Sequence, residues 1–125
     1  MNKIGYFEIQ ADDLARARKF YSEIFSWNFI REENLPIEYY RIEMAGINGG
    51  LLPRPAKIPS EEMGTNAYVC SVEVDNFDSF AKKILEHGGT EALPKFAVPG
   101  KCWQGYFLDT EGNTIGLFQV DPAAK

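Results

Sequence analysis

The hydrophobic positions near the start of the chain change their period once. From Ile4 to Gln10 they alternate, with Phe7 and Ile9 on one face and Tyr6, Glu8 and Gln10 on the other. That is the pattern of a strand covered on one side. From Leu14 the spacing lengthens, and Leu14, Ala17, Phe20, Tyr21, Ile24 and Phe25 fall on one stripe of a helix. Asp12 or Asp13 is suited to start that helix, because a carboxylate accepts from its first free N–H groups and is favoured by its dipole. The simplest packing lays Phe7 and Ile9 under the stripe. Three short strands are predicted next, near residues 27–32, 38–44 and 47–52, with a turn at Ala45-Gly46 between the last two.

The same order then begins again. A strand over about 66–74 leads into a helix over about 76–87, which Gly88-Gly89 ends. Strands near 90–98, 102–109 and 113–120 follow, and Asp109-Thr110-Glu111-Gly112-Asn113 is a hairpin-turn signal between the last two. Asp12 falls on Asp75, Lys19 on Lys82 and Glu23 on Glu86, an offset of 63 residues. Under the same offset the apolar Leu14, Ala17 and Tyr21 fall on Phe77, Phe80 and Ile84. Few identities survive, but a strand, an acidic cap and an amphipathic helix recur at a fixed interval, as in two equivalent modules. The stretch from Pro53 to Gly64 contains three prolines and reads as the connection. The expected organisation is a single domain over 1–125, with module one over about 3–52, a linker over about 53–65 and module two over about 66–120.

Composition narrows the function classes. A 125-residue chain that is 45% apolar is long enough for one ordinary globular domain with a real core. A net charge of −5, with no Lys/Arg block longer than two residues, argues against nucleic acid as a partner. No apolar run approaches the roughly 20 residues that span a bilayer, so no membrane partner is expected. The first residues lack the apolar core of a signal peptide, and a cytoplasmic location is expected. Cys70 and Cys102 are too few for a disulfide framework and are expected to be reduced, buried thiols. Trp27 and Trp103 are expected in the core or a subunit interface. The only histidine, His87, falls in the last turn of the second helix, where a surface role suffices.

Two tandem βαβββ modules, the run Asp13-Leu14-Ala15-Arg16-Ala17-Arg18-Lys19-Phe20-Tyr21 and the segment from Asp109 to Leu117 resemble the vicinal oxygen chelate superfamily. This is the glyoxalase, bleomycin-resistance and extradiol-dioxygenase group, and the resemblance spans residues 3–120. It implies an α+β fold whose modules form a cup-shaped mixed β-sheet with the helices outside, and it implies a homodimer. It does not imply one chemistry, since the superfamily holds isomerases, lyases, dioxygenases, epimerases and drug-binding proteins. Metal-dependent members take ligands from a His or Gln on the first strand of a module and a Glu on its last. The matching positions here are Tyr6 and Gly50 in module one, and Val69 and Gly116 in module two. A divalent cation needs several nitrogen, carboxylate or amide-oxygen donors converging at about 2 Å. Those four residues do not supply them, so no metal and no cofactor are expected.

Alternation assigns the inner faces. Opposite Phe7 and Ile9 lie Tyr6 and Glu8, and similar reasoning sends Val69 and Ser71 inward. With Ile115 and Leu117 toward the helix, Gly116 and Phe118 face the cavity. Tyr106 lies at the position where dioxygenase relatives carry an acid/base tyrosine, Gln104 shares its face, and Tyr40 is its rough counterpart in module one. The candidate ligand-binding residues are therefore Tyr6, Glu8, Tyr40, Gln104, Tyr106 and Phe118, with no catalytic residue assigned. Glu8 has two readings: a carboxylate on a wet face, or an acid desolvated by Tyr6, Tyr106 and Phe118, whose raised pKa suits it to orient a ligand or move a proton. Asn48-Gly49-Gly50 neither follows a phosphate-loop pattern nor opens a helix, and marks a turn or a strand that something approaches closely. The expected function is a metal-free cleft binding a small aromatic or amphiphilic molecule. The alternative is a metal-dependent lyase, isomerase or dioxygenase with non-standard ligands, built around Glu8, Glu43 or Glu73 or completed by a partner subunit. A third reading is an interaction module without a ligand.

Overall fold

A computed structural model describes residues 4–55 and 69–125. The chain divides into two compact units, Met1–Ser60 and Glu61–Lys125. In the first, β1 (Phe7–Ala11), α1 (Leu14–Phe25), β2 (Asn28–Arg31), β3 (Tyr40–Glu43) and β4 (Gly49–Pro53) form one βαβββ module. In the second, β5 (Ser71–Glu73), α2 (Phe77–Glu86), β6 (Thr90–Val98), β7 (Cys102–Leu108) and β8 (Thr114–Val120) repeat it. The fold is α+β, with a four-stranded mixed sheet in each unit, ordered β1-β4-β3-β2 and β5-β8-β7-β6. In each sheet the first strand pairs parallel with the last, and the remaining pairs are antiparallel. No helix among the described residues is long and apolar enough to cross a membrane.

Both helices begin in the same way. The side chain of Asp13 accepts from the Arg16 N–H at 3.0 Å, and that of Asn76, 63 positions on, accepts from the Ser79 N–H at 3.0 Å. Each cap satisfies one of the donors that a helix start leaves without a partner. Past the end of α1, Ser26 takes a left-handed conformation (φ 60°) and returns its N–H to the Ser22 carbonyl; past α2, Gly88 takes φ 96°.

The α1 stripe is the expected one. Leu14, Ala17, Phe20, Tyr21 and Ile24 are buried, and Phe25 is half-buried against Trp27. Leu14 and Ala17 share a cluster with Ala11, Tyr40, Ile42 and Leu51, against which Phe7 and Ile9 pack. Trp27 closes the end of this layer, its ring parallel to Tyr21 at 5.3 Å between centroids. In the second unit Phe77 and Ile84 are buried on α2, and Phe107, Ile115 and Leu117 are buried on the sheet. Each buried Leu, Ile or Phe side chain removed from water stabilises by about 1.5–3 kcal/mol before entropy is counted.

Three expectations change at the edges. Pro53, expected in the linker, ends β4 opposite Ala11, where a strand terminus tolerates the missing N–H. The expected strand over 66–74 is described from residue 69 and is regular only over Ser71–Glu73, and residues 66–68 lie outside the described part, as do residues 56–65 of the expected linker. The two cysteines are free thiols, but Cys70 is exposed and Cys102 only half-buried.

Candidate functional site

The register of each sheet decides which side chains share the face turned away from its helix. In the first unit Glu8 pairs with Gly50, and Gly50 with Arg41. These alternate with Ile9, Leu51 and Tyr40, which point to the helix side. The site face therefore carries Tyr6 and Glu8, as expected, but not Tyr40. Tyr40 is buried, with the Arg18 guanidinium of α1 4.4 Å from its ring centroid. The pairing of Tyr40 with Leu51 puts it in the core layer, and its neighbour Tyr39 takes the opposite face.

Tyr39 joins two other side chains of that face. Its phenol donates to Glu8 Oε2 at 2.7 Å, and the Tyr6 hydroxyl lies 2.7 Å from the Tyr39 oxygen. The ring stands over Gly50, where a Cβ would overlap its phenol end. Partial burial, and then the bonds to Tyr6 and Glu8, push the Tyr39 phenol well above its ordinary value of 10.0. Tyr39 is thus a neutral donor that holds its proton against the carboxylate. Glu8 itself is exposed and hydrogen-bonded. Beside it, Arg41 is bound by the carboxylates of Glu32 and Glu43.

The second unit repeats the plan with other residues. Ser71 pairs with Gly116, and Gly116 with Tyr106. Gln104 and Phe118 pair with each other on the same face. The Gln104 amide donates to Ser71 Oγ at 3.3 Å, and a Cβ on Gly116 would overlap that serine hydroxyl and crowd the amide. Phe96 of β6 stacks on Tyr106, with 6.4 Å between centroids. Gln104, Tyr106 and Phe118 lie where alternation puts them. Phe96 carried no signal, because it sits in an exposed edge strand whose register shifts on either side of Leu93.

The two units thus share one motif. A residue on the first strand, Glu8 or Ser71, is bonded across a glycine on the last strand, Gly50 or Gly116. The partner lies two residues before that glycine's cross-strand neighbour: Tyr39 before Arg41, Gln104 before Tyr106. In the register that the family resemblance implies, these glycines fall at the positions expected for the glutamate ligands of metal-dependent members. The room above them is filled by a phenol in one unit and by a hydroxyl and an amide in the other, and Tyr6 is engaged with Tyr39. The residues present at Tyr6, Gly50, Val69 and Gly116 therefore do not fit a divalent cation of that kind.

Comparison with known proteins agrees with this architecture. The family model described as "Glyoxalase/Bleomycin resistance protein/Dioxygenase superfamily" matches residues 3–117. The fungal "Glyoxylase-like domain-containing protein" of Didymella fabae is 28% identical over 117 residues, covering 92% of this chain and 91% of that one. The protein named "Putative glyoxylase CFP32" in Mycobacterium bovis is 27% identical over 123 residues, covering 94% of this chain; the chain spans only 45% of that relative. Among solved structures, a glyoxalase/bleomycin resistance protein/dioxygenase family enzyme from Burkholderia phytofirmans superposes with a TM-score of 0.75 at 19% identity, over 94% of this chain and 98% of that one. The fosfomycin resistance protein FosX of Listeria monocytogenes gives 0.73 at 14% identity, over 97% and 95%. At such identities the structural likeness concerns the fold.

Proposed function

Since the chain belongs to the glyoxalase/bleomycin resistance protein/dioxygenase superfamily, we propose that it is a metal-free member that binds a small aromatic or amphiphilic molecule. The observation that carries this reading is what covers Gly50 and Gly116: over the first the phenol of Tyr39, which is bonded to Glu8, and over the second the bonded pair Ser71 and Gln104. A face built this way keeps hydrogen-bonding groups and aromatic rings for a ligand while offering no convergent set of metal donors. The proposed contacts are Tyr6, Glu8 and Tyr39 in the first unit, and Gln104, Tyr106, Phe118 and Phe96 in the second. Tyr39 replaces Tyr40 in this role. The protein is proposed to act as a homodimer in the cytoplasm, which light scattering on the purified protein and fractionation of the source cells would check.

Thermal-shift screening of chelator-free protein against planar aromatic compounds, followed by equilibrium dialysis with and without EDTA, tests the reading. Stabilisation that survives EDTA supports it. The second reading, a metal-dependent lyase, isomerase or dioxygenase, is favoured by the names of the relatives alone. Stoichiometric zinc, nickel, manganese or iron in the purified protein, lost together with binding on chelation, would establish it in place of the first.

A further inference from the structure

Tyr39 has one proton to give, and it is committed to Glu8 Oε2 at 2.7 Å. The Tyr6 hydroxyl, 2.7 Å from the Tyr39 oxygen, must then be the donor in that contact. The three groups form a directed chain, Tyr6 to Tyr39 to Glu8, in which each O–H points toward the carboxylate and strengthens the next bond. Both phenolic protons are used inside the chain. What it offers outward is acceptors only: the second oxygen of Glu8 and the spare lone pairs of the Tyr6 oxygen. Among the described residues no Lys or Arg forms an ion pair with Glu8. Tyr6 is exposed, and the face of its ring is an electron-rich surface suited to a cation. The equivalent pair in the second unit, Ser71 and Gln104, is neutral.

Resting on the ligand-binding reading above, we propose that Tyr6, Tyr39 and Glu8 form a subsite for a protonated nitrogen, a primary ammonium or a guanidinium carried by the ligand. A cation satisfies every group the chain leaves open, whereas an anion meets like charge and a neutral acceptor meets no donor. Glu8 takes the ion pair. Tyr39 is a positioning residue: it fixes the carboxylate and, by keeping its proton, prevents the chain from reversing. An exposed ion pair alone is weak, and it is the prior fixing of the carboxylate that makes the subsite selective.

Three probes with one aryl body separate the possibilities: phenethylammonium, phenethyl alcohol and phenylacetate, titrated at pH 7 by calorimetry with NMR mapping of the amides around Glu8. The ammonium is expected to bind tightest and phenylacetate weakest. Glu8→Gln should weaken the ammonium about tenfold, the loss of a hydrogen bond to a charged group, and weaken the alcohol by a smaller factor. Tyr39→Phe should lower the ammonium-to-alcohol affinity ratio by a smaller factor, which a general loosening of the fold would not do. Equal binding of ammonium and alcohol, or an ammonium affinity unmoved by Glu8→Gln, overturns the cation subsite and leaves the small-molecule reading standing. Failure of all three aryl probes to bind overturns that reading, and the subsite with it.

Discussion

Tyr39 reaches Glu8 only because residue 50 is a glycine: a Cβ there would overlap the phenol that makes the 2.7 Å hydrogen bond. The adjacent Gly49 serves the other side of the sheet, where a Cβ would overlap the Phe7 ring packed against the core and edge-on to Trp27. The two Gly→Ala variants should therefore separate. Gly49→Ala forces an aromatic ring out of a packed layer and should cost about 1–3 kcal/mol of stability in denaturant unfolding. Gly50→Ala pushes only the end of a side chain that can swing outward, and should cost less than about 1 kcal/mol. Its signature should instead be loss of the Tyr39–Glu8 bond, visible as a fall in the Tyr39 pKa.

Tyr39 should ionise well above the ordinary tyrosine range. Its phenol is pushed above the ordinary 10.0 by burial and by its bonds to Tyr6 and Glu8. The folded protein therefore holds this proton more tightly than the unfolded chain. Its contribution to stability is complete below pH 10 and declines as pH rises above that toward the folded-state value. Ultraviolet difference titration of wild type against Tyr39→Phe should place its absorbance change well above the normal tyrosine range. Alkaline unfolding should show that Tyr39→Phe lacks this part of the stability loss. An ordinary midpoint near 10 would remove Tyr39 from the chain described here.

Asp109 should be among the costliest polar residues to truncate. It is buried, and its Oδ1 accepts from the backbone N–H groups of Glu111 and Asn113 at 2.8 Å each, while Oδ2 accepts from the Asn113 amide at 3.1 Å. It thereby closes the turn between β7 and β8, in which Gly112 takes φ 78°. Asp109→Ala strands those donors and should cost about 2–3 kcal/mol, read from thermal or denaturant melts. Asp109→Asn keeps one acceptor oxygen and should recover part of the loss.

The helix caps give a milder test. Asp13→Ala and Asn76→Ala each remove the acceptor for one N–H, that of Arg16 or Ser79. Each should lower stability by about 1 kcal/mol, and the corresponding glycine variants should lower it by only a few tenths. Equal losses for alanine and glycine would mean that the side-chain bond contributes little in this context.

Much of the fold was legible in the sequence because its signals are local. The stripe from Leu14 to Ile24, the cap at Asp12 or Asp13, the stop at Gly88-Gly89 and the Asp109–Asn113 turn depend on residues within a few positions of one another; the second cap is Asn76 rather than the expected acidic Asp75. Strand ends were less legible. Pro53 in a proline-rich stretch reads as linker, yet the pairing of β4 with β1 carries it into the sheet. Cysteine burial was not legible either: a thiol is expected inside, yet Cys70 is exposed and Cys102 half-buried.

By itself, the sequence determined that two βαβββ units follow one another and that residues 50 and 116 have no side chain. It also placed Tyr6, Glu8, Gln104, Tyr106 and Phe118, because alternation in β1, β7 and β8 is unambiguous once one apolar face is known. Only the tertiary structure decided between Tyr39 and Tyr40. Two adjacent tyrosines satisfy either parity of an alternating strand, and the choice is made by the pairing of Tyr40 with Leu51 and of Arg41 with Gly50. What occupies the room over each glycine was likewise undetermined by the positions themselves. A missing side chain says only that space exists, and the phenol of Tyr39 and the hydroxyl of Ser71 come to fill it from other strands.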